Sequence, residues 1–272
     1  MIVLGSGSSG NAIALTCEDT CVLIDCGFSA REVTSRLAAE GIAAHDVAAV
    51  LVTHEHVDHT RGLDVFVRRD APEAVVYATA GTARAAGLTD TIGRLEIIAP
   101  DEHLRVGSLA LRAFHTSHDA ADPVGFRVEA NACAAGIVTD TGYLTGAAIE
   151  ALEGCALLGI EANHDEQMLA RGPYPPHLKR RIHSERGHLS NAACAAGLER
   201  LAHDGLRALL QRWPQSPRLA DWALQAALLT ADLHGDADGA RQLIAQGLAS
   251  APEPELSRRL QAALATLPPA TS

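Results

Sequence analysis

The run HEHVDH at residues 54–59 constrains this chain more than any other feature, because it places three histidines and an aspartate within six positions. It follows the apolar residues 49–52, whose length is typical of a buried strand. In open α/β folds, ligands bind at the carboxyl ends of strands, where this loop would lie. Imidazole and carboxylate suit zinc, iron and manganese. One tight loop cannot wrap four ligands around one ion, so the run predicts a ligand pair for each of two neighbouring ions; a solvated polar loop is the alternative.

The order of apolar runs along the first 160 residues predicts a layered α/β fold. Residues 29–40 carry Val33 and Leu37 on one face and are followed by Gly41, which indicates an amphipathic helix and its end. Short apolar runs elsewhere indicate buried strands. These are residues 12–15, 22–24, 49–52, 75–77, 95–98, 109–114, 124–128, 135–138 and 156–160. Two sheets with helices outside them account for the pattern, so we expect an α/β sandwich.

The chain changes character near residue 212. The segment RWPQSPR, residues 212–218, contains two prolines and indicates a linker. Three later segments have the apolar periodicity of amphipathic helices: residues 219–233, 237–248 and 255–267. We therefore expect a first domain at residues 1–212 and an all-helical appendage at residues 213–272. A tetratricopeptide-like appendage stays open, because so few helices cannot show a repeat period.

The composition limits the partners and the location that we expect. With 22 basic and 33 acidic residues the formal net charge is −11, which argues against binding nucleic acid through bulk charge alone. The six cysteines form no CxxC pair, which is typical of reduced thiols inside cells. No basic leader precedes an apolar segment, and no apolar run approaches the roughly 20 residues of a membrane span. We therefore expect a cytoplasmic protein that does not enter a membrane.

Two segments are candidates for phosphate contacts. LKRRIHSER, residues 178–186, contains Lys179, Arg180 and Arg181 in sequence. A solvated helix face is the usual explanation of a charge run, but against an acidic background a phosphate-facing patch is at least as well supported. GSGSSGN, residues 5–11, lacks the GK[ST] ending of a P-loop and indicates a tight turn whose backbone amides face phosphate. We predict the three basic residues as substrate-binding residues.

Seven further motifs accompany HEHVDH: GSGSSGN (5–11), LIDCG (23–27), TSHDAADPVGF (116–126), TDTGY (139–143), EANHDEQML (161–169), YPPHLKRRI (174–182) and GHLSN (187–191). Together they resemble the metallo-β-lactamase superfamily. Within it they are similar to a branch of bacterial exonucleases that are encoded beside the essential cell-wall two-component system and are distant relatives of ribonuclease Z. The resemblance covers residues 1–205 and implies a four-layer αββα sandwich that acts as a nuclease.

The resemblance also implies which residues hold the first metal ion. His54 and His56 would bind it together with His118, and Asp140 would bridge both ions. His115 also follows a predicted strand and is the alternative to His118. We prefer His118 because it matches the HDA sequence of the branch and begins a loop suited to a ligand.

By the same resemblance, Asp58 and His59 would hold the second ion with the shared aspartate. In the branch a further histidine follows the next strand and completes this site. Here the predicted strand at residues 206–210 is followed by QRWPQSPR, without a histidine. His203 precedes that strand, so roughly 16 Å of extended chain separates it from the expected position, and nothing in the sequence requires His234 to fold back. Water would complete the site, the second ion would bind weakly, or the chain is a divergent copy.

Further residues are expected to act around the metals. Asp25 in LIDCG would fix the histidine loop by hydrogen bonds without binding metal. His188 occupies the place where ribonuclease Z-like enzymes keep a catalytic histidine and would protonate the leaving oxygen; its alternative is a residue at a helix start. Asp58 is the second candidate catalytic residue. His164 would either contact substrate or brace the site.

We therefore expect a hydrolase with two divalent ions, zinc or manganese, the second of them weakly held. The resemblance implies a phosphodiesterase and DNA exonuclease, in which a hydroxide bridging the ions attacks phosphorus and the metals neutralise the developing charge. Two alternatives stay open on the same fold. One is hydrolysis of small thioesters, lactones or cyclic phosphodiesters. The other is a binding protein with weakened catalysis, whose helical appendage would serve a protein partner.

Overall fold

The computed structural model, which describes residues 1–131, 133–212, 214–250 and 254–268, contains two β-sheets. The strands of the first sheet are β1 (Ile2–Gly5), β2 (Ala12–Cys17), β3 (Thr20–Ile24), β4 (Val47–Leu51), β5 (Val75–Thr79) and β6 (Leu95–Ile98). They lie side by side in chain order. The first two pairings are antiparallel, and β3 to β6 run parallel. The carboxyl ends of β3 and β4 therefore meet at one edge of the sheet.

The second sheet has the order β11-β10-β9-β8-β7, and its strands are β7 (His103–Val106), β8 (Leu109–His115), β9 (Val124–Ala130), β10 (Cys133–Val138) and β11 (Leu157–Ile160). Only β10 and β11 pair in parallel. Each of the predicted strands up to residue 160 is confirmed. Two strands are missing from the predictions: β1, at the start of the chain, and β7, whose sequence HLRV alternates polar and apolar residues over only four positions.

Helices cover the outer faces of both sheets. The α-helices are α1 (Ala30–Ala39), α2 (Val57–Thr60), α3 (Leu63–Arg69), α4 (Ala80–Ala85), α5 (Leu88–Thr91), α6 (Gly146–Leu152), α7 (Glu166–Arg171), α8 (Pro176–Ile182), α9 (Asn191–Arg212), α10 (Leu219–His234), α11 (Ala237–Ser250) and α12 (Pro254–Thr266). Within the described ranges, no helix is both long and apolar enough to cross a membrane.

Two hydrophobic clusters make the layers of the sandwich. Between the sheets, Ile24 of the first sheet belongs to one buried cluster with Phe126 and Ile137 of the second. On the outer face of the first sheet, Leu23 packs with Phe66 of α3 and with residues of α1. Because successive residues of a strand point to opposite faces, Leu23 and Ile24 enter different clusters. Helix α6 packs against β8, β9 and β10, which completes the predicted four-layer αββα sandwich.

The chain divides into two compact units, Met1–Cys194 and Ala195–Ser272. The three predicted helices of the appendage are confirmed as α10, α11 and α12. The predicted domain boundary at residue 212 stays a prediction, and Trp213 of the predicted linker lies outside the described residues.

The predicted strand at residues 206–210 is wrong, because these residues form the later part of α9. Leucine, alanine and arginine favour helix, and no β-branched residue occurs among the 22 residues of α9. The apolar run LRALL is therefore the continuation of a long helix. The missing histidine of the second metal site cannot be expected at the end of a strand here.

Candidate metal centre

A buried carboxylate holds the histidine loop at the carboxyl end of β4. Asp25 directly follows β3, and it accepts hydrogen bonds from the backbone N–H of Thr53 at 2.8 Å and from the Thr53 hydroxyl at 2.9 Å. It also accepts one from His59 Nδ1 at 2.7 Å. The φ angle of Asp25 is 62°, a left-handed conformation that L-residues seldom adopt, so some backbone strain accompanies this placement. These contacts support the expectation that Asp25 fixes the loop without binding metal.

His54, His56 and His118 each turn one nitrogen toward a common point. His56 Nδ1 lies 3.1 Å from His54 Nε2 and 3.2 Å from His118 Nε2. His118 Nδ1 donates to the carbonyl of Gly187, and His54 Nδ1 donates to the hydroxyl of Thr53, whose own proton goes to a carboxylate. Nε2 of His54 and of His118 is therefore unprotonated. Two unprotonated ring nitrogens that both lie near His56 Nδ1 form an arrangement that fits a bound cation.

Asp140 follows β10 and lies among these rings. Its Oδ2 is 3.7 Å from His54 Nε2 and 3.5 Å from His118 Nε2. Asp140 and the three histidines each have one ligand atom that lies within 4.8 Å of the ligand atoms of the other three residues. Burial opposes ionisation of Asp140, but the hydrogen bond and charge of His59 outweigh it and hold the pKa of Asp140 well below its usual range. Three imidazoles and one carboxylate form a donor set that suits zinc or manganese.

Asp58 and His59 provide a second, less complete set of donors. His59 Nε2 lies 3.8 Å from Asp58 Oδ2 and 3.5 Å from Asp140 Oδ2. The side-chain amide nitrogen of Asn11 lies 3.0 Å from His59 Nε2 and 3.5 Å from Asp58 Oδ2. An amide nitrogen donates hydrogen and is not a metal ligand. Unlike the first donors, Asp58, His59 and Asp140 do not form a group whose ligand atoms all lie within 4.8 Å of one another, so a second ion fits them less well.

Two histidines near Asp140, His54 and His59, have opposite pKa shifts. Burial and the neighbouring charge of His59 lower the pKa of His54 to about 2. Burial also disfavours protonation of His59, but the carboxylates of Asp25 and Asp140 outweigh it and raise the pKa of His59 to about 10. In the metal-free protein His54 is therefore neutral and ready to bind a cation, whereas His59 carries a proton that a metal would displace.

The structure brings His118, rather than its alternative His115, to the other histidines. His118 is almost fully buried, and burial lowers its pKa. The His115 side chain is 58% exposed, and its Nδ1 lies 3.7 Å from Asp122 Oδ1. The two residues between them turn the chain from the end of β8 into the loop that carries His118.

Glu161 and His188 form a hydrogen-bonded pair next to Asp140. His188 Nδ1 donates to Glu161 Oε1 at 2.7 Å and lies 3.9 Å from Asp140 Oδ2. Glu161 Oε2 accepts from the backbone N–H groups of Thr141 and Leu189. Burial raises the pKa of Glu161. Burial also disfavours protonation of His188, but the hydrogen bond and negative charge of Glu161 outweigh burial and raise the pKa of His188. Sequence reasoning missed Glu161, although a carboxylate directly after a predicted buried strand was a usable signal.

The three predicted substrate-binding cations have different surroundings. Lys179 donates to the carbonyl of Ala170 at 2.7 Å, and Arg180 is exposed on α8. Arg181 pairs with Asp119, with Nη2 lying 3.1 Å from Oδ1. Arg181 alone of the three is among the residues that line the groove at the metal donors. The structure thus brings one of these cations to the candidate site.

His164 is not among the residues that the structure gathers around Asp140. In the described part of the chain neither of its ring nitrogens has a hydrogen-bond partner, and both are buried. Its ring centroid lies 6.3 Å from that of His183, and its backbone forms an isolated bridge with Ser190. Burial lowers the pKa of His164. Its predicted role in substrate contact stays a prediction.

The two histidines considered as substitutes for the missing ligand lie in the second unit. His203 Nε2 lies 2.8 Å from the hydroxyl of Thr230, and His203 Nδ1 lies 3.1 Å from Asp204 Oδ1. The rings of His203 and His234 are 4.9 Å apart. Both nitrogens of His203 therefore have partners within the helical unit.

The metal donors open into a groove of about 810 Å³ in the first unit. His56, Asp58 and Asp140 line it, as do residues 5–8 of the glycine- and serine-rich turn. The segment at 174–182 contributes further lining residues, so the groove combines metal donors, residues of the glycine- and serine-rich turn and side chains of α8. Among these lining residues, Arg181 carries a guanidinium group that can donate hydrogen bonds to a phosphate.

Comparisons with known proteins agree with this architecture. Residues 20–211 match a family model described as "Beta-lactamase superfamily domain". The exodeoxyribonuclease YycJ of Bacillus anthracis is 34% identical over 202 residues, which are 72% of this chain and 75% of that protein. The short form of human tRNase Z has a TM-score of 0.54 at 18% identity, covering 74% of this chain and 87% of its own. Rm3 metallo-β-lactamase has a TM-score of 0.50 at 19% identity, covering 78% and 91%. These two structures establish the fold alone.

Proposed function

The chain belongs to the β-lactamase superfamily, and from this premise we propose that it is a metal-dependent phosphodiesterase that shortens DNA from an end. The observation that carries the proposal is the convergence of histidine nitrogens on Asp140 at one side of an open groove. The 34% identical relative named an exodeoxyribonuclease supports DNA as the substrate. Arg181 in the groove supports a phosphate-containing substrate despite the acidic net charge.

Two divalent ions, zinc or manganese, would serve this reaction, with the second held more weakly. When bound, such ions lower the pKa of water and neutralise charge on phosphoryl oxygens. The donors of the first ion would be His54, His56, His118 and Asp140, and those of the second would be Asp58, His59 and Asp140. The incomplete second set supports the expectation of weaker binding there.

The side chains around the donors would orient the reactants and move protons. Asp58, which lines the groove, would accept a hydrogen bond from the attacking water and orient it toward phosphorus. His188 would donate a proton from Nε2 to the leaving oxygen, because its Nδ1 is already held by Glu161. Glu161 would stabilise the protonated imidazole before the transfer. Asp25 would keep the His59 ring in its binding orientation.

Two further expectations concern the location of the protein and the partner of its helical appendage. A cytoplasmic location and a protein partner for the helical appendage at residues 213–272 stay predictions. Hydrolysis of small thioesters or lactones on the same fold is the main competing activity. The experiment below distinguishes it from the proposed one.

The test is cleavage of end-labelled duplex DNA by the full chain loaded with manganese or zinc. We expect stepwise shortening from one end, loss of activity in His118→Ala, and retained activity in the matched control His115→Ala. The same sequence made as RNA tests the preference for DNA. Absence of cleavage with either metal, together with turnover of a lactone or thioester, would contradict the proposal and favour the competing activity.

A further inference from the structure

One exposed aromatic side chain lines the groove beside the metal donors. Tyr174 is 53% exposed and is the only tyrosine, tryptophan or phenylalanine among the groove-lining residues of the described chain. The whole chain contains only three tyrosines, two tryptophans and four phenylalanines. A large apolar ring left in contact with water loses the free energy that its burial would provide. Its position therefore indicates a ligand surface more than a packing role.

The backbone around Tyr174 is stiff. Pro173 precedes it and Pro175 follows it, and each proline fixes its own φ near −65°. Pro175 is also the N-cap of α8, so the ring is attached directly to the start of a helix. A backbone restricted in this way loses little conformational entropy when the side chain of Tyr174 binds a ligand.

Helix α8 continues the surface that begins at Tyr174. Leu178 and Ile182 lie one helical turn apart and both line the groove, next to Arg181. The segment therefore offers an aromatic ring, two aliphatic side chains and one guanidinium group along one side of the helix. This combination matches a nucleotide, which has a flat base, an apolar sugar edge and an anionic phosphate.

We propose that Tyr174 stacks on the base of the terminal nucleotide of the strand being shortened, and that the enzyme thereby distinguishes an end that carries a base from one that does not. The inference rests on the proposed function, in which the donors around Asp140 face the scissile phosphate. The sugar and base joined to that phosphate then have to lie in the same groove, which Tyr174 also lines. Stacking accepts all four bases because each has a π-face, as an exonuclease without sequence preference requires.

The test compares two oligonucleotides of the same sequence, one of which has an abasic sugar as its terminal nucleotide. We expect the wild-type KM to be about tenfold or more lower for the end with a base, which is the usual size of one base–aromatic contact. Tyr174→Ala should remove this difference by raising the KM for the normal end only, with similar kcat for both substrates. Tyr174→Phe and Tyr174→Trp should keep the difference, because both retain a ring.

Several controls separate stacking from a structural role. Tyr143→Ala removes a ring that is 48% exposed and is not among the groove-lining residues, and it should leave the KM difference unchanged. Metal content and the melting temperature report the folding of each variant. Tyr174→Leu keeps apolar bulk without a π-face, and it should behave like Tyr174→Ala and decide the question if the alanine variant does not fold.

The outcomes also separate this inference from the proposed function. If the wild type shortens both oligonucleotides with the same KM, or if Tyr174→Leu changes both KM values equally, stacking is overturned and the phosphodiesterase stands. If the wild type cleaves neither oligonucleotide with manganese or zinc, the proposed function fails, and the stacking role fails with it.

Discussion

The carboxylate of Asp25 lies 2.7 Å from His59 Nδ1, and both side chains are completely buried. This contact directs His59 Nε2 toward Asp58 and Asp140, where the second ion is expected. Loss of such a partner commonly weakens metal binding about 10- to 100-fold. We expect Asp25→Asn to weaken binding of the second ion by that factor and to leave binding of the first ion unchanged. Titration against a competing chelator measures both affinities. Asp64→Asn, whose half-buried carboxylate lies on α3 beside Arg68, is the matched control. Equal affinities in all three proteins would contradict the prediction.

Binding of the second ion should release a proton from His59. The pKa of His59 is about 10 in the metal-free protein, whereas a metal binds only the neutral ring. Affinity at the second site should therefore rise with pH up to about 10, and His54, already neutral, should add no such dependence at the first site. Calorimetric titration in two buffers of different protonation enthalpy measures the proton release. Heats that do not depend on the buffer would contradict the prediction.

The same pKa shift of His59 contributes to the pH dependence of the metal-free fold. Because the folded pKa of His59 lies above the usual histidine value of 6.5, its contribution to stability is complete below pH 6.5 and is lost as the pH rises toward 10. The free energy of unfolding of the metal-free protein should fall over this range. Asp25→Asn should flatten that slope in urea unfolding measured at several pH values.

The sequence predicts the residues that would bind metal better than it predicts the residues and elements around them. His54, Asp58 and Asp140 stand in short motifs beside apolar runs, so strand ends place them at one edge of the fold. Glu161 was missed because its role depends on His188, which lies 27 positions later and meets it only in the folded chain. The strand predicted at residues 206–210 was wrong because a short apolar run has no periodicity that separates strand from helix.

Glu161 should set the pH range over which His188 acts as an acid. A general acid works while it is protonated, so activity falls as the pH rises through the pKa of His188. Glu161 raises that pKa, and Glu161→Gln should therefore move the alkaline limb of the rate profile to lower pH. His188→Gln should lower kcat by about 10²- to 10⁴-fold and remove this limb. If the activity of Glu161→Gln is lower by the same factor at every pH, with no shift of the alkaline limb, Glu161 has a structural role alone.

Arg181 should contribute a salt-dependent contact with DNA, and Arg180 should contribute less. Arg181 lines the groove, whereas Arg180 is exposed on α8 and does not. A single phosphate contact changes the slope of log affinity against log salt by about one. We expect Arg181→Gln to reduce the slope by up to about one unit, since Asp119 partly neutralises this arginine. Binding of catalytically inactive Asp140→Asn protein to single-stranded DNA, measured by anisotropy with and without each arginine substitution, tests it. Equal slopes for both arginine variants would contradict the prediction.

Leu260 of α12 should stabilise the helical unit, Ala195–Ser272, whereas Leu264, one helical turn later, should contribute less. Leu260 of α12 is completely buried, and a Cβ placed on Gly247 of α11 would lie only 3.0 Å from its side chain and 3.1 Å from Ala223 of α10. Three helices thus meet at this point. Leu264 is 38% exposed. Leu260→Ala should lower the free energy of unfolding of this unit by about 2 to 5 kcal/mol, as buried leucine truncations do. Leu264→Ala should cost well under half of that, and urea unfolding followed by circular dichroism compares the two. Equal losses would show that the packing around Gly247 does not stabilise the unit.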